Sequence, residues 1–356
     1  MSKRVLVGMS GGVDSSAAAL VLLRAGYEVS GVTMLLHGNP RQEDSGCGSF
    51  REAEDAASVC RCLGIPHQVK DFSPVFAQKV QENFVSEYLS GRTPNPCIRC
   101  NRYLKFGAML DYALENGFDY VATGHYALVE PAGERWVLRR APTDKDQSYV
   151  LYQLSQHQLS HVLTPLGHME KPEIRRLAEE AGLPVAHKAE SQDICFIPDG
   201  DYVAFLRRQG VALTPGDFVD EAGRVLGRHR GLPCYTTGQR KGLGVGGSAY
   251  PLYVLRKDAK TNTVVLGPEE HLYSGRTVIE QCNWIAFEDL AEPVRCTAKT
   301  RYSQTEAAAT VSPLPGGRAE VVFDTPQRAL TAGQSAVFYD GDTVLGGGWI
   351  CAQEEY

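Results

Sequence analysis

The chain has 356 residues, too many for one ordinary core, and this length predicts two or three domains. It is 43% hydrophobic and 22% charged, the texture of a folded globular protein rather than a disordered one. The net charge of −6 argues mildly against a nucleic-acid partner without excluding one, because binding is decided by local patches. The opening MSKRVLVGMS has only three consecutive apolar residues before Gly8 and reads as no signal peptide, and the longest apolar run, Ala17 to Leu23, is too short to span a membrane. These readings predict a cytoplasmic protein with no membrane partner. In a reducing compartment its ten cysteines are not a disulfide framework; some pack as small hydrophobes and others react or bind metal.

In chain order, Arg4 to Gly8 (RVLVG) reads as a buried strand and Ser15 to Ala25 as a nearly all-apolar helix stopped by Gly26. Glu28 to Leu36 is a second strand. Arg51 to Leu63 is a helix with Ala53, Ala56, Ala57 and Cys60 on one face. Pro66 to Asp71 is a third strand. Phe76, Val80, Phe84 and Tyr88 fall four apart on the next helix, Lys105 to Asn116 forms another, and Asp119 to Thr123 a buried strand. This alternation predicts an α/β fold, a doubly wound parallel sheet with helices on both faces. Asp146 to Gly182 reads as mostly helical. After about Gly200 the texture changes to a basic glycine-rich loop, Gly238 to Ser248, and then to short alternating strands such as Arg318 to Asp324 and Gln334 to Asp340, the pattern of a small β-barrel. The expected domains are 1–200, a small central domain 201–275, and a C-terminal β-barrel 276–356.

The segment Gly8, Met9, Ser10, Gly11, Gly12, Val13, Asp14, Ser15, Ser16 lies between the first strand and the first helix. There its backbone N–H groups and the positive helix end face an anion, the glycines let the backbone approach phosphate oxygens, and the serines supply hydroxyl donors. Asp14 is placed to hold Mg2+ beside the phosphates of ATP. No Lys follows the glycines, so this is not the Walker-type loop. A loop without that Lys suits pyrophosphate as a leaving group better than γ-phosphoryl transfer, and SGGxDS resembles the PP-loop of the ATP pyrophosphatases.

Gly91 to Lys105 (GRTPNPCIRCNRYLK) carries a CxxC pair, Cys97 and Cys100, flanked by Arg99, Arg102 and Lys105, whose charges favour thiolate. A third cysteine, Cys195, lies in ESQDICFIP. Buried packing thiols, a structural zinc site and sulfur or iron–sulfur chemistry all compete here; zinc wants four ligands, and no second CxxC exists. Cys60, Cys234, Cys282, Cys296 and Cys351 read as packing residues, and Cys47 and Cys62 as exposed without a role.

SGGVDSS, GRTPNPCIRCN, TGHYA, KDQSYVL, SQDICFI, TTGQRKGLGVGG and AGQSAVFYD occur in this order along the chain. Together they resemble the tRNA-specific 2-thiouridylase family, which thiolates the wobble uridine of certain tRNAs. The resemblance implies ATP binding through Gly8 to Ser15 with contacts at Met34 and Gly124. It implies Cys100 as nucleophile and Cys195 as carrier of a persulfide received from a sulfur-carrier protein. It implies that Asn95, Pro96 and Cys97 contact the target base, and that His125, Lys145, Asp146, Gln147, Arg301, Tyr302 and Gln334 touch tRNA. With an acidic total, tRNA is expected on a restricted basic face of Arg99, Arg102, Arg240, Lys241 and Arg301. Uracil oxygen 2 would be adenylated, and sulfur would then attack carbon 2. Many members carry Asp where this chain has Cys97, which opens a second route: Cys97, Cys100 and Cys195 as three ligands of a 4Fe–4S cluster whose open iron binds inorganic sulfide. The rival readings are a PP-loop synthetase adenylating a small metabolite, which leaves the cysteines unexplained, and an RNA-binding protein with a cysteine-bound metal, which leaves the ATP loop unexplained.

Overall fold

The computed structural model describes residues 2–36, 49–189, 194–248 and 250–352. The chain divides into two compact units: one takes residues 1–81, 96–200 and 342–344, the other 82–95, 201–341 and 345–356.

The first unit is built on β1 (Arg4–Gly8), α1 (Val13–Arg24), β2 (Glu28–Leu35), α2 (Phe50–Leu63) and β3 (His67–Asp71). After α3 (Ser73–Phe76) comes a π-turn, Ala77–Gln81; α4 (Glu82–Leu89) belongs to the other unit. The chain re-enters through α5 (Pro96–Arg99), a π-helical stretch Cys100–Ala108, α6 (Met109–Glu115), β4 (Tyr120–Ala122), a hairpin of β5 (Ala127–Ala132) and β6 (Arg135–Arg140), α7 (Gln156–Leu159), β7 (Val162–Leu163) and α8 (Lys171–Glu180). The sheet runs β3-β2-β1-β4-β7 with every pair parallel. β1 is its centre because Val5, Leu6 and Val7 have no solvent exposure, as a strand covered on both faces requires. The strand order reverses between β1 and β4, and a crevice at such a switch point, beyond the strand C-termini, is where open α/β sheets bind ligands. The doubly wound parallel sheet expected from the sequence is therefore present.

The mostly helical reading of Asp146 to Gly182 is not. That stretch holds a 3-10 turn at Ser148–Leu151, the short α7, β7 and only then α8. The helical spacing of Ile174, Leu177 and Ala178 was real but local to α8. Upstream, Tyr149, Leu151, Tyr152 and Leu154 are all buried, an apolar run without a face, which periodicity cannot resolve. At Gly167 an added Cβ would lie 2.2 Å from the Ala127 carbonyl oxygen, so the chain here runs tight against the hairpin. The Lys105 to Asn116 helix exists, but its first turns are wound as the π stretch.

The second unit takes up α4 because its aromatic face pairs with α9 (Tyr202–Arg208): Tyr88 stacks on Tyr202 at 4.8 Å and Phe84 meets Phe205 edge-on at 5.8 Å. β8 (Gly216–Val219), β9 (Val225–His229), β10 (Tyr253–Asp258) and β11 (Thr263–Gly267) make a four-stranded sheet in the order β10-β11-β8-β9. β12 (Tyr273–Trp284), β13 (Val294–Lys299), β14 (Ala307–Leu314), β15 (Arg318–Arg328), β16 (Ser335–Asp340) and β17 (Thr343–Ile350) follow in the order β12-β15-β14-β13-β16-β17, and β12 pairs with β17 to close a barrel. Its core alternates along each strand, with Ala309 and Val311, Ala319 and Val321, and Ala336 and Phe338 inward. No helix among the described residues is long and apolar enough to cross a membrane.

Lys257 of β10 donates to the Tyr235 carbonyl at 2.9 Å, with its ammonium 5.9 Å from the Tyr88 ring centre. Burial pulls its pKa down from 10.5 to about 7. Between those values the unfolded chain holds a proton that the folded chain does not, so this group makes stability rise with pH across the window. Urea midpoints measured from pH 7 to 10 will show that rise in the parent protein and a flatter profile in Lys257→Met.

Candidate functional site

The Gly8 to Ser16 loop leaves β1 at the switch point. Met9 N–H donates to the Val32 carbonyl at 2.8 Å and Thr33 Oγ1 to the Met9 carbonyl at 3.0 Å, which fixes the loop's origin on β2. α1 starts at Gly12 with no side-chain cap, so its first N–H groups are left for another acceptor, and an anion is the natural one. The serine hydroxyls brace the loop: Ser15 and Ser16 both donate to the Gly12 carbonyl, at 3.2 and 2.8 Å, and Ser10 N–H donates to Ser15 Oγ at 3.2 Å. Met34 sits near the C-terminal end of β2, and Gly124 follows β4, so both lie at the same edge of the sheet as the loop. A Cβ on Gly124 would fall 2.7 Å from the Asp14 carbonyl carbon and 2.8 Å from the Ser15 nitrogen. Only glycine lets these two loops touch. Overpacking of this kind costs about 1–3 kcal/mol of stability, so Gly124→Ala is expected to lower the urea midpoint of unfolding by a corresponding amount.

Asp14 differs from expectation. Instead of an open metal ligand, its carboxylate receives Lys171 Nζ on both oxygens, at 2.7 and 2.8 Å, and the Tyr126 hydroxyl at 2.6 Å. Among the described residues no three His, Cys, Asp or Glu side chains gather into a set able to hold a metal ion. The Asp14 carboxylate is thus already paired within the protein, and among the described residues Cys97, Cys100 and Cys195 form no such set. Sequence reading also missed the lysines at the loop: Lys171 at the start of α8, and Lys188, whose Nζ donates to the Gly11 carbonyl at 3.0 Å. The signal was a loop lacking its own Lys, but nothing local said which distant one would come.

Cys97 is exposed, Cys100 buried and Cys195 partly exposed. Cys100 opens the π-helical stretch, a form found mostly as short bulges at functional sites. The helix before it is tied down by Arg99, whose Nε donates to the Lys79 carbonyl at 2.9 Å in the Ala77–Gln81 π-turn. Arg99 and Arg102 both lie over the Tyr103 ring, at 5.0 and 5.1 Å. Asn101, next to Cys100, is buried and donates to the Val150 carbonyl at 3.1 Å. Cys195 is followed by buried Phe196, whose ring meets Phe76 of α3 edge-on at 5.5 Å. The chain just before Cys100 and the chain just after Cys195 are thus both anchored on residues 73–81. Ser191 to Asp193 and Cys47 lie outside the described residues.

Cys60, Cys234, Cys296 and Cys351 are buried and Cys282 half-buried, as packing residues are, whereas Cys62 is exposed. Cys60 lies over Gly31, where a Cβ would come within 2.7 Å of its sulfur, and burial pushes its thiol up to about 11. Burial likewise pushes Cys282 and Cys296 up to about 12. At such values almost no thiolate exists near neutrality.

The residues given to tRNA differ in their surroundings. In the first unit Lys145 is exposed. Asp146 organises its own loop, accepting from Ala141 N–H and Ser148 N–H at 3.1 Å each, and Gln147 accepts from Tyr126 N–H at 3.0 Å. His125 is buried, with Nδ1 2.7 Å from Thr123 Oγ1, and burial holds its pKa well below 6.5, so its ring is neutral. In the second unit Gln334 Nε2 donates to the Thr93 carbonyl at 2.7 Å and Thr93 N–H to the Ala332 carbonyl at 2.9 Å, which holds the chain just before Asn95. Arg301 is a clamp, donating to the Thr237 and Ala329 carbonyls and to Thr331 Oγ1. Tyr302 is exposed with Lys299 Nζ 5.6 Å over its ring, as a base-stacking residue would be. Arg240 and Lys241 are exposed in the glycine-rich loop.

Residues 3–199 match the tRNA methyl transferase HUP domain family, 204–268 the tRNA methyl transferase PRC-barrel domain, and 274–350 the aminomethyltransferase beta-barrel domain. The chain is 50% identical to the tRNA-specific 2-thiouridylase MnmA of Acetivibrio thermocellus, over 98% of this chain and 99% of that one. It is 48% identical to the MnmA of Pelotomaculum thermopropionicum, over 98% and 97%. The solved U34-tRNA thiolase NcsA from Methanococcus maripaludis with its [4Fe-4S] cluster is 18% identical, covering 58% of this chain and 66% of that one with a TM-score of 0.34, too slight a likeness to bear on chemistry. At half identity over nearly its whole length, and with matching domains in the same order, the chain belongs to the tRNA-specific 2-thiouridylase family.

Proposed function

We propose that this protein thiolates the wobble uridine of tRNA at carbon 2, using ATP to activate the base. Uracil oxygen 2 attacks the α-phosphate of ATP and pyrophosphate leaves, so that the oxygen departs later as AMP. The outer sulfur of a persulfide on Cys195, loaded by a sulfur-carrier protein, attacks carbon 2 and displaces AMP. The Cys100 thiolate then attacks the inner sulfur of Cys195. The S–S bond breaks, its electron pair stays with the sulfur on the base, and a Cys100–Cys195 disulfide forms, which an external thiol must reduce.

The observation that carries this reading is the uncapped start of α1 at the switch point, a site for a phosphate anion, in a family named for tRNA thiolation. Mg2+ belongs with ATP as substrate in this scheme, since Asp14 is engaged by Lys171 and Tyr126. No step runs through an iron–sulfur cluster. Asn95, Pro96 and Cys97 are assigned to the target base, and Lys145, Arg301 and Tyr302 to tRNA, Lys145 suiting phosphate. Lys145 and Tyr302 are exposed; buried His125 is given no direct contact.

The test is pyrophosphate release from ATP with and without tRNA. Release that requires tRNA supports the scheme. Full-rate release without tRNA would favour adenylation of a small metabolite, and none under any condition would end the reading of the loop.

A further inference from the structure

The ATP loop rests on the first turns of α2. A Cβ on Gly11, whose φ is +68°, would fall 2.6 Å from the Glu52 carbonyl oxygen and 3.2 Å from Asp55 Cβ. Lys188 reaches this same point from far along the chain. Its Nζ donates to the Gly11 carbonyl at 3.0 Å and pairs with Asp55 Oδ2 at 2.7 Å. A trans peptide is planar, so the Gly11 carbonyl and the Gly12 N–H point in opposite directions. The ammonium that holds the carbonyl therefore also sets the direction of the N–H at the start of α1. With that peptide flipped, a carbonyl oxygen would replace an N–H toward the phosphates and repel them. Glycine at Gly11 and Gly12 makes such a flip easy, and the charge-assisted bond from Lys188 opposes it.

Lys188 stands at the end of a fastened segment. Leu183, Val185 and Ala186 are buried in the core shared with α1. Lys188 N–H donates to the Val185 carbonyl at 3.0 Å. Arg175 of α8 donates to the Ala186 carbonyl at 3.1 Å, and α8 itself begins with Lys171 on Asp14. Cys195 follows Lys188 by seven residues. One side chain thus joins the phosphate loop to the fastened segment that ends at Lys188.

We infer that Lys188 is a positioning residue that holds the Gly11–Gly12 peptide for ATP and couples the state of that loop to the Cys195 segment. The inference rests on the proposed ATP-dependent thiolation. Its test compares the full-length parent with Lys188→Met, Lys188→Arg and Asp55→Asn. The readouts are KM for ATP in tRNA-dependent pyrophosphate release, and 2-thiouridine formed per pyrophosphate at saturating ATP. Loss of a hydrogen bond from a charged group predicts that Lys188→Met raises KM for ATP about ten- to hundredfold. It also lowers the yield of 2-thiouridine per pyrophosphate, while Lys188→Arg restores most of both. Asp55→Asn keeps the bond to Gly11 but loosens its anchor, and raises KM by a smaller factor; with Lys188→Arg it carries the test if Lys188→Met does not fold. A KM for ATP within about twofold of the parent in Lys188→Met, well inside the loss expected of such a bond, would overturn the positioning role. A parental yield per pyrophosphate would overturn the coupling. A parent protein that releases no pyrophosphate with tRNA removes the underlying reading, an outcome distinct from an active parent with an unaffected variant.

Discussion

Cys195→Ala will release pyrophosphate from ATP in the presence of tRNA at close to the parent rate and make no 2-thiouridine. The expectation follows from where the chemistry sits. In the proposed scheme the groups that face the nucleotide are backbone N–H groups of residues 8–16, in a loop braced by side-chain bonds to the Met9 and Gly12 carbonyls. The bonds that brace the loop come from Ser10, Ser15, Ser16 and Thr33, and Phe196 and Ile197 beside Cys195 are buried in the core. Removing one sulfur atom there leaves activation intact and removes the carrier of the attacking group, a loss of many orders of magnitude in the second half-reaction alone. The measurement is pyrophosphate by coupled assay alongside 2-thiouridine by nucleoside chromatography. Equal loss of both would contradict the division of labour. Cys100→Ala should differ from Cys195→Ala by accepting persulfide sulfur on Cys195 yet failing to resolve it.

Lys171→Met will lower pyrophosphate release and thiolation together, by about ten- to hundredfold. Lys171 places two short charge-assisted bonds on Asp14, and its side chain is only 12% exposed. Without it a carboxylate faces the triphosphate site with only the Tyr126 hydroxyl for compensation. Loss of hydrogen bonds to a charged group costs about 1.5–3 kcal/mol, and repulsion of ATP adds to that. If charge is the cause, Asp14→Asn in the same protein should recover part of the loss, because the unpaired carboxylate is gone; a double-mutant cycle reads this directly. Additive losses would instead mean that Lys171 and Asp14 act separately. The parallel fall of both activities distinguishes this variant from Cys195→Ala, where they separate, and from Lys188→Met, where KM for ATP and coupling both change.

The parallel sheet was legible in the sequence because its central strand β1 is a short apolar run buried on both faces, while the edge strand β3, exposed at Val69, Lys70 and Asp71, shows through its place between two helices. β1, α1, β2, α2 and β3 all lie where the apolar pattern put them, within one or two residues. The ATP loop was legible for the same local reason: a buried strand, a glycine pair and a helix start are contiguous, and their geometry follows from backbone sterics. The barrel strands showed their two-residue alternation.

Periodicity failed where burial had no face. Tyr149 to Leu154 fill the core on all sides and carry no helical or strand signal, so that stretch read wrongly as helix. The π winding at Cys100 was equally invisible, since its 3.6-period neighbours continue straight into it. The packing of α4 with α9 depends on aromatic residues more than a hundred positions apart, Tyr88 and Tyr202.

The sequence by itself determined that this chain has a phosphate loop without its own lysine, three cysteines in strings that belong to one family, and the order of its domains. Only the tertiary structure decided which cations serve that loop, because Lys171 lies 157 positions from Asp14 and Lys188 lies 177 from Gly11. Such pairings are chosen by how α8 and the segment after it pack on the sheet, and no local pattern of residues encodes them.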